Sequence, residues 1–75
     1  MNLLAIDIVR EREKHKLTQK DLSILTEIDP STLSFIENGK TLPSKVTAIK
    51  LAKALNKEDD YYLHIMNNMK KSGRF

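Results

Sequence analysis

Two short amphipathic segments around a tight turn occupy residues 17–38, and they restrict the fold of this chain more than any other feature. Thr18 is placed to cap the first segment, and Asp29 is placed to cap the second. Pro30 then suits a first helical position, where no amide donor is needed. Gly39 supplies the backbone freedom with which helices commonly end. The pattern predicts two short helices with sharply defined ends.

The small size of the chain requires every helix to contribute to one shared core. The chain has 75 residues and makes one domain at most. A domain this small buries only about 60% of the surface that its unfolded chain exposes. It contains no cysteine, which excludes disulfides and thiolate-bound zinc. His15 and His64 are far apart and lack partners at ligand spacing, so we expect neither a metal nor a cofactor.

Positive charge lies on both sides of the central segment rather than within it. The formal net charge of the chain is +3, yet residues 26–37 contain no lysine or arginine and three acids, Glu27, Asp29 and Glu37. Basic flanks suit a protein that binds phosphate groups with its edges, and they also suit ordinary helix solubility. The flanking lysines are Lys14, Lys16 and Lys20 on one side and Lys40, Lys45, Lys50 and Lys53 on the other.

Three further helices complete an all-α plan without repeats or linkers. The spacing predicts a first helix over residues 3–15, a fourth between Ser44 and Asn56, and a fifth that ends at about Met69. Residues 1–69 then form the domain, and the basic residues 70–75 form a disordered tail. The expected inward positions are Leu4, Ile8, Leu22, Leu33, Ile36, Ala48, Leu51, Ala52, Leu55, Tyr62, Leu63, Met66 and Met69.

Five short motifs together resemble the lambda-repressor/Cro (Xre-type) family of helix-turn-helix domains, over roughly residues 4–66. The combined spacing is specific, whereas no single motif would be. The resemblance implies a compact five-helix bundle whose third helix enters the major groove of DNA. The motifs are LTQ at 17–19, STLS at 31–34, IENGK at 36–40, PS at 43–44 and LAKAL at 51–55.

The same resemblance implies roles for individual residues. Arg12 and Glu37 match a pair that commonly forms a buried ion pair between the first and third helices. Gln19 matches a residue that touches the phosphate backbone and braces the recognition helix. Its neighbour Lys20 belongs to the same basic edge. The positions implied to face base edges are Pro30, Ser31, Ser34 and Phe35, and those implied to meet phosphate in the following loop are Asn38, Lys40 and Thr41. Thr32 offers a further hydroxyl for DNA contact on the same helix.

Two features depart from the family pattern. The turn position that is usually glycine holds Glu27, so a positive φ there adds strain of about 1 kcal/mol unless the turn differs. The reading helix offers short hydroxyls, whereas base recognition usually relies on arginine, lysine, asparagine or glutamine. Phe35 stands where a polar residue is commoner, and it fits either thymine methyl groups or a protein interface. We therefore expect weak sequence reading, helped by DNA shape and phosphate anchoring.

Apolar residues outside the expected core raise the question of a protein partner. Ile24 and Leu25 are adjacent on a short helix, so at least one of them is expected to be exposed, either as plain surface or as a partner site. Tyr61 and Ile65 lie in the fifth helix, which is the usual dimer element in relatives. They fit self-association, or they complete the core.

These observations predict a small DNA-binding transcriptional regulator that binds double-stranded operator DNA through residues 18–38 as a homodimer, in the manner of a phage Cro protein or repressor. The alternative is a modulator or antirepressor that binds a larger repressor, or another co-encoded protein, through Ile24, Leu25 and Phe35. An antitoxin role is a third option. No nucleophile–base arrangement or glycine-rich phosphate loop indicates an enzyme. The N-terminal apolar run is short and interrupted by Asp7, so we expect no membrane contact and a cytoplasmic location in a bacterial or phage-infected cell.

Overall fold

Five α-helices make up the architecture of residues 2–71, the part of the chain that the computed structural model describes. No strand occurs within that part, so the predicted all-α class is confirmed. Short connections join the helices, and α1 packs against α3 and α5 while α4 packs against α2 and α5. The helices are α1 (Leu3–Lys14), α2 (Gln19–Thr26), α3 (Pro30–Glu37), α4 (Lys45–Ala54) and α5 (Tyr61–Lys71).

Side-chain caps set the starts of the three central helices. The Thr18 hydroxyl accepts from the Asp21 amide at 3.0 Å, and the Asp21 carboxylate accepts from the Thr18 amide at 2.9 Å. This reciprocal pair is a capping box, and the Thr18 amide holds the pKa of Asp21 below its usual value. The Asp29 carboxylate accepts from the Ser31 amide at 3.0 Å, and Ser44 caps α4 in the same way. All three predicted helix starts are confirmed.

The core lies where the five apolar stripes meet. Most of the expected inward positions are buried, and Tyr62 is the largest fully buried side chain. Leu63 and Met66 are only partly buried and pack against the edge of the core. The buried members of the cluster are Leu4, Ile8, Leu22, Ile28, Leu33, Ile36, Ala48, Leu51, Ala52, Leu55, Tyr62 and Met69.

The chain ends of the domain differ slightly from the predicted boundaries. Helix α5 continues to Lys71, two residues past the predicted end at Met69. The rest of the predicted tail, residues 72–75, lies outside the described residues. Helix α1 ends at Lys14, and the ring of the following His15 donates from Nε2 to the Leu55 carbonyl at 3.0 Å. This exposed histidine therefore ties the end of α1 to the end of α4.

Two acids of α1 are buried, which the sequence analysis did not predict. The Asp7 carboxylate accepts a hydrogen bond from the Tyr61 hydroxyl at 3.1 Å, and Glu11 pairs with the Lys57 ammonium at 3.2 Å. Within the described residues the Tyr62 hydroxyl has no hydrogen-bond partner. Burial, and then the nearby negative charge of Asp7, raise the pKa of Tyr62 far above its usual value. A polar layer thus joins α1 to the start of α5.

Candidate nucleic-acid interface

The turn between α2 and α3 keeps a left-handed residue although no glycine is present. Glu27 adopts φ 58° and ψ 26°, a conformation that costs a non-glycine residue about 1 kcal/mol or more. Two hydroxyls support the turn from inside. Ser23 donates to the Ile28 carbonyl, and the Thr26 hydroxyl accepts from the Ile28 amide at 3.3 Å. The turn therefore holds a non-glycine residue in the left-handed conformation, supported by two buried hydroxyls.

Helix α3 is held by its inner face and open on its outer face. Leu33 and Ile36 are fully buried in the core. The side chains on the opposite face are exposed, except that Ser34 is half-buried. This arrangement leaves most of the outer face exposed. The exposed side chains of α3 are Pro30, Ser31, Thr32 and Phe35.

The orientation of α3 is set at its C-terminal end by a buried carboxylate. Glu37 accepts from the Arg12 guanidinium at two points, Nε at 3.0 Å and Nη2 at 3.1 Å. The Gln19 amide donates to the same carboxylate at 3.2 Å, and Arg12 Nη1 donates to the Leu17 carbonyl at 2.9 Å. One carboxylate therefore joins α3 to α1 and to the start of α2. Gln19 has the bracing contact that the resemblance implies, while its contact with phosphate stays a prediction.

The loop after α3 places polar and positive groups beside the outer face. Gly39 has a positive φ of 74°, and the chain turns there so that the Lys40 amide donates to the Phe35 carbonyl at 2.9 Å. The Lys40 ammonium lies 5.9 Å from the centre of the Phe35 ring. Asn38 donates to the Ser34 hydroxyl at 3.3 Å. Asn38, Lys40 and Thr41 are exposed in the loop after α3, and Lys20 is exposed at the start of α2.

The charge of this surface is neutral along α3 and mixed in sign around it, because Lys20 and Lys40 are exposed and so are Glu27 and Asp29. Helix α3 contains no lysine, arginine, asparagine or glutamine. Its single acid, Glu37, points inward and is neutralised by Arg12. The outer surface of α3 therefore presents hydroxyls and a phenyl ring, with the Lys40 ammonium beside the ring.

Two apolar areas lie outside this surface. On α2, Ile24 is 66% and Leu25 is 59% exposed, so both side chains point outward, where the sequence analysis required only one to do so. They line a shallow groove together with Leu17 and Asp21. Exposed apolar pairs of this size are ordinary on protein surfaces, although they also serve as contact sites.

The second apolar area, between α1 and α5, was missed by the sequence analysis. Leu3 and Ile6 are exposed and line a groove with Ile65. The spacing of three between Leu3 and Ile6 was the available signal, because residues three apart share a helix face. Tyr61 and Ile65 are half-buried and pack against the core, which agrees with their role in completing it. Their part in self-association stays a prediction.

Other kinds of site find little support in the described residues. Over residues 2–71, no three His, Cys, Asp or Glu side chains come together as possible metal ligands. His64 pairs instead with Asp60, one helical turn away, at 3.0 Å. In the same part of the chain, every helix is too short or too polar to cross a bilayer.

Comparison with known proteins gives one match. A family model described as helix-turn-helix matches residues 8–62, which begin in α1 and end in α5. The match covers most of the chain and contains both the α2–α3 unit and the Arg12–Glu37 pair. Neither a curated protein nor a solved structure gives a significant match.

Proposed function

Because the chain belongs to the helix-turn-helix family of the Xre and lambda-repressor type, a family of DNA-binding regulators, we propose that it binds operator DNA as a Cro- or repressor-like homodimer. The exposed face of α3 enters the major groove. Regulation of transcription then follows from occupation of the operator.

The observation that carries this proposal is the way in which α3 is held. Its inner face is buried, its end is fixed by Glu37, and its outer face is free over residues 30–35. A helix that reads a groove needs a rigid support, because base contacts require side chains to be held in register. Three hydrogen bonds from Arg12 and one from Gln19 to Glu37 provide such support.

In this proposal, the binding residues form two groups, one that contacts base edges inside the groove and one that contacts phosphates outside it. The short side chains of α3 meet base edges, and the second group meets phosphate, where each neutralised charge adds salt-dependent affinity. The base-edge residues are Pro30, Ser31, Thr32, Ser34 and Phe35, and the phosphate residues are Gln19, Lys20, Asn38, Lys40 and Thr41.

A dimer would present two α3 helices, so that two DNA half-sites are bound at once and the weak sequence recognition by each helix is reinforced. Two α3 helices about 34 Å apart would enter successive major grooves on one side of the duplex. We assign the contact between protomers to the α5 side, through Tyr61 and Ile65. Ile65 lines a groove with the exposed Leu3 and Ile6. A half-exposed apolar surface of this kind is suited to self-association.

The test is a fluorescence-anisotropy titration of the duplex upstream of the protein's own coding region, at several salt concentrations. Lys40→Ala should weaken binding and reduce the slope of log affinity against log salt by about 1. Lys53→Ala is the matched control, since Lys53 lies near the C-terminal end of α4 and pairs with Asp59 at 3.8 Å. Equal effects of both variants, or no binding at low salt, would reject the proposal.

A second candidate function rests on Ile24 and Leu25. Their exposure favours a modulator or antirepressor that binds a larger repressor through α2 and Phe35. The titration above, repeated with co-encoded proteins added, separates the two candidates. If the complex with DNA forms only when a second protein is added, or is lost only then, the result supports the modulator function.

A further inference from the structure

The outer face of α3 carries apolar groups where a DNA-reading helix usually carries amides or guanidinium groups. Phe35 is 50% exposed. Thr32, with its methyl group, lies three residues before it, so the two share one face of the helix. Pro30 is also exposed and has no donor. The hydroxyls of Ser31 and Thr32 bond to many bases and distinguish few of them.

We propose that Phe35, together with the Thr32 methyl group, makes this protein select duplexes by the 5-methyl groups of thymine. The inference rests on the proposed function, because it requires α3 to lie in the major groove. In that groove the thymine methyl is the apolar group that distinguishes one base pair from another. An apolar ring gains by covering it and gains nothing from the donors and acceptors of a guanine–cytosine pair.

The surroundings of Phe35 favour DNA over a protein as the occupant of this face. Lys40 lies 5.9 Å from the ring centre and is itself exposed. The Lys40 amide also donates to the Phe35 carbonyl, which fixes the backbone of Lys40 close to that of Phe35. A cation beside the ring suits phosphate next to a base contact, whereas a purely apolar protein contact would have to desolvate that charge.

The backbone of Phe35 is positioned by the helix that carries it. Its neighbours in sequence, Ser34 and Ile36, face inward to different degrees, and Asn38 bonds to Ser34 behind it. The helix beneath it is fixed by Glu37. The ring therefore sits on a rigid backbone, which is the condition for discriminating one methyl group.

The test replaces thymine by deoxyuridine, which removes the methyl group and keeps every hydrogen-bonding group. Duplexes are first selected from a random pool by the full-length protein. The best duplex is then made with deoxyuridine at each thymine of the half-site in turn. We expect affinity to fall about fourfold for each methyl group that loses its contact, and the selected half-sites to be rich in thymine.

Two protein variants test whether the preference for thymine depends on Phe35. Phe35→Ala should weaken binding to the thymine duplex and reduce its preference over the deoxyuridine duplex, with the remainder due to the Thr32 methyl group. Ile24→Ala removes a similarly exposed apolar side chain from α2 and should leave the thymine preference unchanged. Circular dichroism checks that both variants fold.

The two possible failures are distinguishable. If wild-type protein binds duplexes in a salt-dependent way but binds thymine and deoxyuridine forms equally, the inference is wrong and the proposed function stands. If it binds no duplex at low salt, and instead retains a co-encoded protein through Phe35, both are wrong. A thymine preference in Phe35→Ala as large as that of the wild type also overturns the assignment to Phe35.

Discussion

Arg12 and Glu37 form a two-point ion pair that links the last turn of α1 to the end of α3, with Nε–Oε2 at 3.0 Å and Nη2–Oε1 at 3.1 Å. Their side chains are only 14% and 4% exposed. The pair lies directly beneath the helix that we assign to the groove. It therefore couples the stability of the domain to the orientation of its binding surface.

Removal of one partner of this pair should destabilise the domain strongly. Glu37→Leu leaves the Arg12 charge buried without a counter-charge, and loss of one partner typically costs about 3–5 kcal/mol. Urea unfolding monitored by circular dichroism measures the change. The double variant Arg12→Met/Glu37→Leu should recover most of the loss, because two apolar side chains replace a buried pair at little cost. No recovery in the double variant would contradict this account of the site.

The turn before α3 offers a stabilising substitution. Glu27→Gly removes the left-handed strain but increases the entropy of the unfolded chain, so we expect a net gain of about 1 kcal/mol or less. Glu27→Ala is the matched control, since alanine removes the carboxylate and keeps the strain. Thermal unfolding of both variants decides the point. A gain in Glu27→Ala equal to that in Glu27→Gly would assign the effect to charge instead of backbone conformation.

The capping box at α2 should make stability fall at acid pH. In the folded protein, hydrogen bonds from the backbone and side chain of Thr18 hold the pKa of Asp21 below its ordinary value of 3.8. The contribution of a lowered carboxyl pKa is complete above the unfolded value and is lost as the pH falls through the folded value. In urea unfolding from about pH 6 to about pH 2, Asp21→Asn should therefore lose less stability than the wild type. Parallel curves for the two proteins would show that the cap contributes nothing to the pH dependence.

Charge placed on α2 separates the two functions. The Ile24 side chain is already 66% exposed. Ile24→Asp therefore places no charge in the core, and the fold should persist. Under the DNA-binding function it leaves operator affinity within about threefold of the wild type, as expected for a surface site outside the contact. Gln19→Ala, in contrast, should weaken operator binding, since it removes a bond to Glu37. Loss of activity in Ile24→Asp with intact DNA affinity would favour the modulator.

The helices could be predicted from the sequence because their starting signals are local. Thr18, Asp29 and Ser44 each cap the helix that follows, within three residues of the amide they bind. The apolar stripes identified Leu33 and Ile36 for the same reason, since helical spacing fixes which side chains share a face. Once Leu33 and Ile36 were placed in the core, the remaining residues of α3 could be assigned to its outer face.

The parts that could not be predicted depend on packing between distant segments. Asp7 and Glu11 are charged, and charge alone suggests exposure. They are buried because Tyr61 and Lys57, some fifty residues away in the chain, supply partners. The groove of Leu3 and Ile6 likewise exists only because α5 passes beside α1. For Glu27, the sequence allowed either a strained positive φ or a different turn, and the structure shows the positive φ.

The central claim, that the outer face of α3 enters DNA, is tested most directly by mapping amide chemical shifts of the labelled protein on addition of a selected operator duplex at low salt. The account predicts the largest changes over residues 30–35 and 38–41, with little change at Ile24 and Leu25. Changes confined to α2, or none anywhere at low salt, would contradict it.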